Sequence, residues 1–402
     1  MAPEDELLPQ TAPSPNTAQT PEHAEFTPAP EATQALVPGS AETAISAPPR
    51  RNMRWVFIGG QGLRAGWSVL LFLIFFFAFN IGLDAVLLRT HMVRKGGDFT
   101  PAQGFFSEGA GFIALLLSLA LIGLIERRSI LAYNLTGPRR PQRFVSGLAT
   151  GFAVLSALIG SLAAGGWLHF GPAAHGLAVV WSGLLWGCVF LMVGCVEEGM
   201  MRCYLLFTLT RGINFWWALG VVALLCGVLA FRFHGFHAGA AWGVYGIALL
   251  GVFPCLALQH NHAASSGFWC AAWATSTLFG FVHVDNSGEA WIGIFAAAAI
   301  GFVFCVSVRL TGSAWWAIGC HAGWDWGETY FYGTADSGLT AHGSFLTSSP
   351  SGNPLWSGGS VGPEGSLLVL AVILLLLIYL LIAYGRRKLP AYQPAVPGEA
   401  AS

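Results

Sequence analysis

Residues 177–209 read LAVVWSGLLWGCVFLMVGCVEEGMMRCYLLFTL. The run is apolar except for Glu197, Glu198 and Arg202, and it exceeds the roughly 20 helical residues that cross a hydrocarbon layer of about 30 Å. Ionisable side chains inside such a span cost at least a few kcal/mol each, so their presence indicates a functional site. The stretch therefore predicts a membrane-spanning helix that carries chemistry.

The composition of the whole chain also favours a membrane environment. Of 402 residues, 54% are hydrophobic and 10% are charged, whereas a soluble domain carries about 25% charged residues. A formal net charge of -1 argues against nucleic-acid binding, which needs a concentrated basic face. The eight cysteines lie in or beside apolar runs without CxxC spacing, which is typical of small buried hydrophobes. Membrane lipids are the expected surroundings.

Apolar runs recur along the chain and predict an all-α fold, a polytopic membrane helix bundle of about ten transmembrane helices. They lie near residues 67–88, 109–126, 145–168, 177–209, 216–232, 239–258, 267–284, 290–308, 314–331 and 366–384. Residues 1–50 hold ten of the 21 prolines, so we expect residues 1–52 to form a disordered cytoplasmic tail. Residues 53–388 then form the transmembrane domain, and 389–402 a disordered C-terminal tail.

The distribution of basic residues predicts the orientation of the bundle, because Lys and Arg are retained on the cytoplasmic side of short loops. With the N-terminus inside, 14 of the 19 basic residues are cytoplasmic: Arg50, Arg51, Arg54, Arg64, Arg127, Arg128, Arg139, Arg140, Arg143, Arg211, Arg309, Arg386, Arg387 and Lys388. The loop at 332–365 has no Lys or Arg and is expected outside. We therefore expect a multi-pass protein of the cell membrane with both termini cytoplasmic.

Two further spans carry ionisable residues. One ends in STLFGFVHVDN and places Phe279 and His283 four residues apart; the other contains WWAIGCHAGWDWGE and spaces His321 and Asp325 likewise. Residues four apart share a helix face, so Glu198 is expected to pair with Arg202 in the same way.

Helix rise places these groups at overlapping depths. Glu197 points about 100° away from the face that carries Glu198 and is free to face a cavity. Glu197, His283, His321 and Asp325 are therefore expected to line one polar pocket.

These side chains supply what amide hydrolysis needs. A carboxylate or histidine deprotonates water, and a second pair of groups stabilises the oxyanion. A metal-dependent hydrolase, with zinc held by Glu197, His283 and His321, is an alternative, although no HExxH motif occurs. A non-catalytic binding or immunity-type scaffold, a structural network and a proton-coupled transporter are further alternatives.

The three motifs, in this order on membrane spans, resemble the CAAX-protease and bacteriocin-processing (CPBP) family of intramembrane glutamic endopeptidases, over roughly residues 115–385. The resemblance implies that Glu197 and His283 activate water without a cofactor. It also implies that His321 and Asp325 hold the oxyanion, and that Glu198, Arg202 and Phe279 support the site. The implied substrates are membrane-embedded or lipidated proteins and peptides.

Two features depart from the family pattern. The third motif often carries Asn where this chain has Asp325, and a carboxylate cannot donate to an oxyanion unless it is protonated. In addition, two spans separate the first motif from the second, whereas the family usually has them on consecutive helices. We interpret residues 213–266 as an inserted helical hairpin, since an even number of added spans leaves the later topology unchanged.

Overall fold

The structure is a computed structural model that describes residues 53–94, 99–232, 239–286, 288 and 290–385. The predicted tails at 1–52 and 389–402 lie outside these residues. The described chain begins with a short helix, α1 (Arg54–Phe57), and an antiparallel pair of two-residue strands, β1 (Ile58–Gly59) and β2 (Gly62–Leu63). All the larger elements that follow are helices.

The long helices follow the predicted apolar runs, which confirms the all-α membrane bundle. The α-helices after β2, long and short, are α2 (Ala65–Arg89), α3 (Pro101–Glu126), α4 (Arg140–Ala164), α5 (Leu177–Glu198), α6 (Leu206–Thr210), α7 (Phe215–Arg232), α8 (Gly239–Gly251), α9 (Pro254–His260), α10 (Ser266–Val282), α11 (Trp291–Thr311), α12 (Trp315–Asp325), α13 (Pro354–Ser357) and α14 (Leu368–Tyr384). Short 3-10 helices lie at Ile130–Ala132 and Pro363–Gly365.

Seven helical stretches within the described residues are long and apolar enough to cross a membrane. The expected number was about ten. The other three predicted spans are also helical: α10 and α14 have 17 residues each, and α12 has 11 and continues as a π-helix at Trp326–Tyr332. Two of these three, α10 and α12, carry the second and third motifs.

Glycines allow α4 and α12 to pack with their backbones in contact. A Cβ at Gly147 or Gly151 would overlap the carbonyl oxygens of Trp316 and Cys320, and one at Gly319 would overlap that of Phe144. Small residues four apart permit this close approach between helices in a bilayer. The contact fixes α12, which carries the third motif, against α4.

The long connections between helices lie at one end of the bundle, which we call the loop end. Strand β3 (Leu168–Phe170) pairs there with β4 (Ser348–Pro350), which joins the α4–α5 connection to the segment between α12 and α14. Phe99, which precedes α3, forms a bridge with Ala341 of that same segment. These contacts hold the 333–367 segment over the end of the bundle.

The opposite end, the arginine end, contains a buried charge cluster. The Glu126 carboxylate lies 3.1 Å from Arg211 Nη2 and 3.6 Å from Arg128 Nε, and it accepts a hydrogen bond from the Tyr133 hydroxyl at 3.3 Å. Both guanidinium groups also lie over the Phe207 ring. Each charge in this cluster has an opposite partner, so the cluster joins α3 to the end of α6 and the loop after α3.

Helices α7 to α9 occupy the predicted insert at 213–266. They pack against one another and against α10, and their shared cores are apolar, with Val222, Cys226 and Leu229 in one and Phe215, Val252 and Cys255 in the other. Residues 233–238 of the insert lie outside the described part. The interpretation of this region as an inserted hairpin stays a prediction.

Candidate active site

The first motif lies where α5 changes its winding. Glu197 and Glu198 end α5, and residues Gly199–Leu205 form a π-helical turn before α6. Glu198 Oε1 accepts a hydrogen bond from Arg202 Nη1 at 3.1 Å, and both side chains are completely buried. The predicted Glu198–Arg202 pair is therefore present, and π turns of this kind occur frequently at functional sites.

Arg202 is held by aromatic rings and by backbone. Its guanidinium carbon lies 4.2 Å from the centre of the Phe279 ring and 5.4 Å from that of Phe304. A Cβ at Gly301 would overlap the guanidinium, so this glycine of α11 leaves the space it fills. The Asn134 amide donates to the Arg202 carbonyl at 2.7 Å. The supporting role expected of Phe279 corresponds to this cation–π contact.

His321 connects the third motif to the first. Its Nδ1 lies 2.9 Å from Glu198 Oε1, and since the ion-paired carboxylate is an acceptor, Nδ1 is the donor. The other nitrogen, Nε2, lies 3.7 Å from Glu197 Oε2 and 3.5 Å from Asp325 Oδ2. Two carboxyl groups facing one ring nitrogen repel unless a proton lies among them, so the three groups share at least one proton.

This arrangement adds two contacts to the sequence interpretation. Glu197 faces a cavity, and its carboxylate also lies beside His321 Nε2. Glu198 was expected to support the architecture through Arg202, and it also binds His321 directly. Neither contact could be read from spacing, because Glu198 and His321 are 123 residues apart in the chain.

His283 caps the C-terminal end of α10. Its Nδ1 lies 2.7 Å from the Phe279 carbonyl oxygen, and because a carbonyl only accepts, Nδ1 carries the hydrogen. The Nε2 atom of the neutral ring is then left as a proton acceptor. The ring of Phe279 contacts His283 edge-on, with 4.9 Å between the ring centres.

The structure brings Glu197, His283, His321 and Asp325 to one cavity of about 300 Å³, the catalytic cavity. One wall is apolar, with Val154 of α4, Ile300 of α11 and Leu376 of α14 among its residues. At the loop end, Ser337, Leu339 and Ala341 also line the cavity. The cavity therefore combines ionisable side chains with an apolar wall.

Further carboxylates around this cavity were not identified from the sequence. Glu108 of α3, Asp336 and Glu364 line it as well. Burial and the neighbouring Glu364 carboxylate raise the pKa of Asp336 to about 7. Glu108 and Glu328 both lie in apolar helices, and the rule that ionisable residues in a span are functional identifies them as candidates.

Three of these acids form a compact group. The ligand atoms of Glu328, Asp336 and Glu364 all lie within 4.8 Å of one another. The Trp324 indole donates to Glu328 at 2.7 Å and to Glu364 at 3.0 Å, which joins the end of α12 to the 333–367 segment. Within the described residues, Glu197, His283 and His321 are not brought together within that distance.

A comparison with known families bears on these motifs. The family model described as Type II CAAX prenyl endopeptidase Rce1-like matches residues 253–327. The match supports the CPBP and CAAX-protease family. The matched residues include the second and third motifs. The first motif lies outside the match, but the fold places its Glu197 at the same cavity. No curated protein and no solved structure matches the chain.

Proposed function

We propose that this protein is an intramembrane endopeptidase of the CAAX-protease type, which hydrolyses peptide bonds with water activated by Glu197 and His283. The observation that carries the proposal is the convergence of three distant motifs on one cavity within a bundle of membrane helices. The family match supports the reaction class. The residue roles rest on the geometry of the cavity.

Glu197 is the best candidate for the general base. Its side chain is 37% exposed and faces the cavity, whereas Glu198 is fully buried and already binds Arg202 and His321. His283 lines the same cavity with Nε2 as its acceptor atom. A water molecule between these two groups would lose a proton as its oxygen attacks the peptide carbonyl carbon.

His321 and Asp325 are the candidates for oxyanion stabilisation. Glu198 accepts the hydrogen on Nδ1, so His321 donates from Nε2 into the cavity as the doubly protonated imidazolium. The neighbouring Glu197 and Asp325 carboxyl groups favour the charge of this imidazolium. Preorganised donors of this kind stabilise the charge that develops on the carbonyl oxygen. The proton taken by Glu197 then passes to the leaving amine, which completes the hydrolysis.

The apolar wall of the cavity favours substrates that are membrane-embedded or lipidated. Val154, Ile300 and Leu376 offer no hydrogen bonds to a polar peptide, but they suit apolar side chains or a lipid chain. Such a substrate would reach the cavity from the bilayer with little desolvation cost. A prenylated C-terminal peptide has both properties.

We also propose that the arginine end faces the cytoplasm. Arg128 and Arg211 lie there, and Arg127, Arg139 and Arg140 belong to the same connection or helix start. The positive-inside rule places such a cluster in the cytoplasm. The loop end is then external.

The test is cleavage of a prenylated peptide by the purified protein in lipid nanodiscs, followed by mass spectrometry of the products. We expect the wild-type protein to release a C-terminal fragment and Glu197→Gln to release none above background, because an amide cannot accept the proton. The outcome that contradicts the proposal is equal cleavage by both proteins. Absence of cleavage for prenylated and unmodified membrane peptides alike favours the non-catalytic scaffold.

The same assay separates the glutamate mechanism from the metal-dependent alternative. Glu197, His283 and His321 have the chemistry of zinc ligands. Full activity after dialysis against a strong chelator is expected for glutamate-activated water. Loss of activity in chelator, restored by added zinc, would establish the metal mechanism instead.

A further inference from the structure

A second cavity lies between α2 and α3 and is lined by polar side chains. This α2–α3 cavity has a volume of about 420 Å³. Its polar lining residues are Asn80 and Asp84 of α2 and Ser107 and Glu108 of α3. A helix face that contacts lipid does not need four such groups, and ionisable residues in spans cost at least a few kcal/mol each.

Glu108 belongs to both cavities. It lines the α2–α3 cavity with Asp84 and the catalytic cavity with Glu197. It is also close enough to both carboxylates for their charges to interact. Among the described residues, no ion pair involves Glu108 or Asp84. Within this part of the chain, a structural role as half of a salt bridge does not account for Glu108.

The α2–α3 cavity begins near the loop end. Leu87, Leu88 and Val93, around the end of α2, line it. Asn80 and Asp84 are four residues apart, so they lie on one face of α2 and continue the polar lining inward. Asn80 lies beside Gly111, where an added Cβ would be 3.9 Å from its amide nitrogen. The missing side chain at Gly111 leaves this part of the cavity open.

Peptide hydrolysis consumes one water molecule in each turnover, and the site lies among apolar helices. A substrate that fills the catalytic cavity of about 300 Å³ also excludes bulk water from it. A water molecule takes up about 30 Å³ in the liquid and needs two to four polar partners when buried. The α2–α3 cavity offers room for several water molecules and the partners to hold them.

We propose that the α2–α3 cavity is a water-filled passage from the loop end to the catalytic cavity, with Glu108 as the polar group at the junction. The purpose of the passage rests on the proposed hydrolase function, whereas its hydration does not. Glu108 acts through the water that it holds, so it is a positioning residue. The passage lets substrate and water enter by separate routes.

Hydration is tested by thiol labelling in nanodiscs, which expose both faces of the membrane. A charged methanethiosulfonate reagent reacts with thiolates, which form in water and not in lipid. Ser107→Cys is the probe, and Phe105→Cys is its matched control. Phe105 is 40% exposed and lies about 200° away around α3 at nearly the same depth. The chain without an added cysteine supplies the background.

Labelling of residue 107, followed by peptide mass spectrometry, is expected to be at least about tenfold faster than labelling of residue 105, in proportion to the thiolate each position supports. Equal rates at the two positions overturn the passage. This result does not depend on cleavage activity, so it stands even if the proposed function fails.

The role of Glu108 is tested by kinetics on a cleaved peptide. Glu108→Leu keeps a similar volume but removes the polar junction, so kcat should fall by about tenfold or more while KM stays nearly unchanged. Glu108→Gln keeps hydrogen bonding and should retain most of the wild-type kcat. Wild-type kcat in Glu108→Leu, or equal losses in Leu and Gln variants, overturns the role of Glu108 in holding water.

Discussion

Glu126 at the arginine end lies 3.1 Å from Arg211 and 3.6 Å from Arg128, whereas Glu197 faces the catalytic cavity beside His321 at 3.7 Å. Both are carboxylates in long apolar helices. The charge of Glu126 is neutralised by guanidinium groups, so its contribution is to hold helices together. The charge of Glu197 meets a histidine and a second carboxyl group, so protons can move there. The partners of each acid therefore separate a helix-joining role for Glu126 from the proposed proton-transfer role of Glu197.

The Glu198–Arg202 pair shows both situations in one place, because Arg202 neutralises Glu198 while Glu198 orients His321. Arg202→Leu should lower the free energy of unfolding by about 3 to 5 kcal/mol, since it leaves a buried carboxylate uncompensated. Activity should fall with it. Thermal unfolding in nanodiscs and the peptide cleavage assay measure the two effects.

The matched control is the double variant Arg202→Leu with Glu198→Gln, which carries no uncompensated charge. It should recover part of the stability. If the double variant unfolds at the same temperature as Arg202→Leu alone, the two side chains are not energetically paired.

Asp325 tests the oxyanion side of the cavity. Asp325→Leu should reduce kcat by about 10²- to 10³-fold, the usual loss for a missing oxyanion donor. Asp325→Asn keeps a donor in the same place and should remain active. An Asn variant as inactive as the Leu variant would contradict the donor role, and it would favour an ionised Asp325 that orients His321.

The pH dependence of stability tests whether Asp336, one of the acids at the loop end, holds a proton in the folded protein. Its pKa of about 7 exceeds the ordinary value near 3.9, so the folded protein holds a proton that the unfolded chain releases. The stability from this proton is present at low pH and is lost as pH rises through 7. Between pH 5 and pH 8 the loss should be about 1 to 3 kcal/mol.

Asp336→Asn removes this titrating group and is the control. Its unfolding temperature should change less between pH 5 and pH 8 than that of the wild-type protein. Parallel pH profiles for the two proteins would show that Asp336 is ionised at both values.

Much of the bundle follows from apolar runs and from the spacing of four within each motif. The pairing of Glu198 with Arg202 and the contact of Phe279 with His283 are local, so helix geometry predicts them. The glycine pairs Gly147–Gly151 and Gly319–Gly323 are visible in the sequence too, and small residues at this spacing favour close helix contacts.

Other parts of the site could not be predicted from hydropathy. The predicted span at 109–126 begins one residue after Glu108, whereas α3 begins at Pro101. Thr100 is the N-cap of α3, and its side chain accepts a hydrogen bond from the Gln103 backbone N–H. The N-cap Thr100 followed by Pro101 is the sequence signal that would have placed the helix start before Glu108 and so included Glu108 in the span. The contact between His321 and Glu198, and the meeting of Glu328 with Glu364, arise from tertiary packing alone.

The most direct measurement makes the same chemical change in both regions and records both properties. Glu197→Gln and Glu126→Gln each remove one carboxylate charge; cleavage rate per folded molecule and unfolding temperature are measured for both. The account predicts that Glu197→Gln loses about 10²- to 10⁴-fold in rate while its unfolding temperature stays close to wild type. It predicts that Glu126→Gln unfolds at a lower temperature yet cleaves at the wild-type rate while folded. Wild-type cleavage by Glu197→Gln, or loss of stability alone in both variants, would contradict the account.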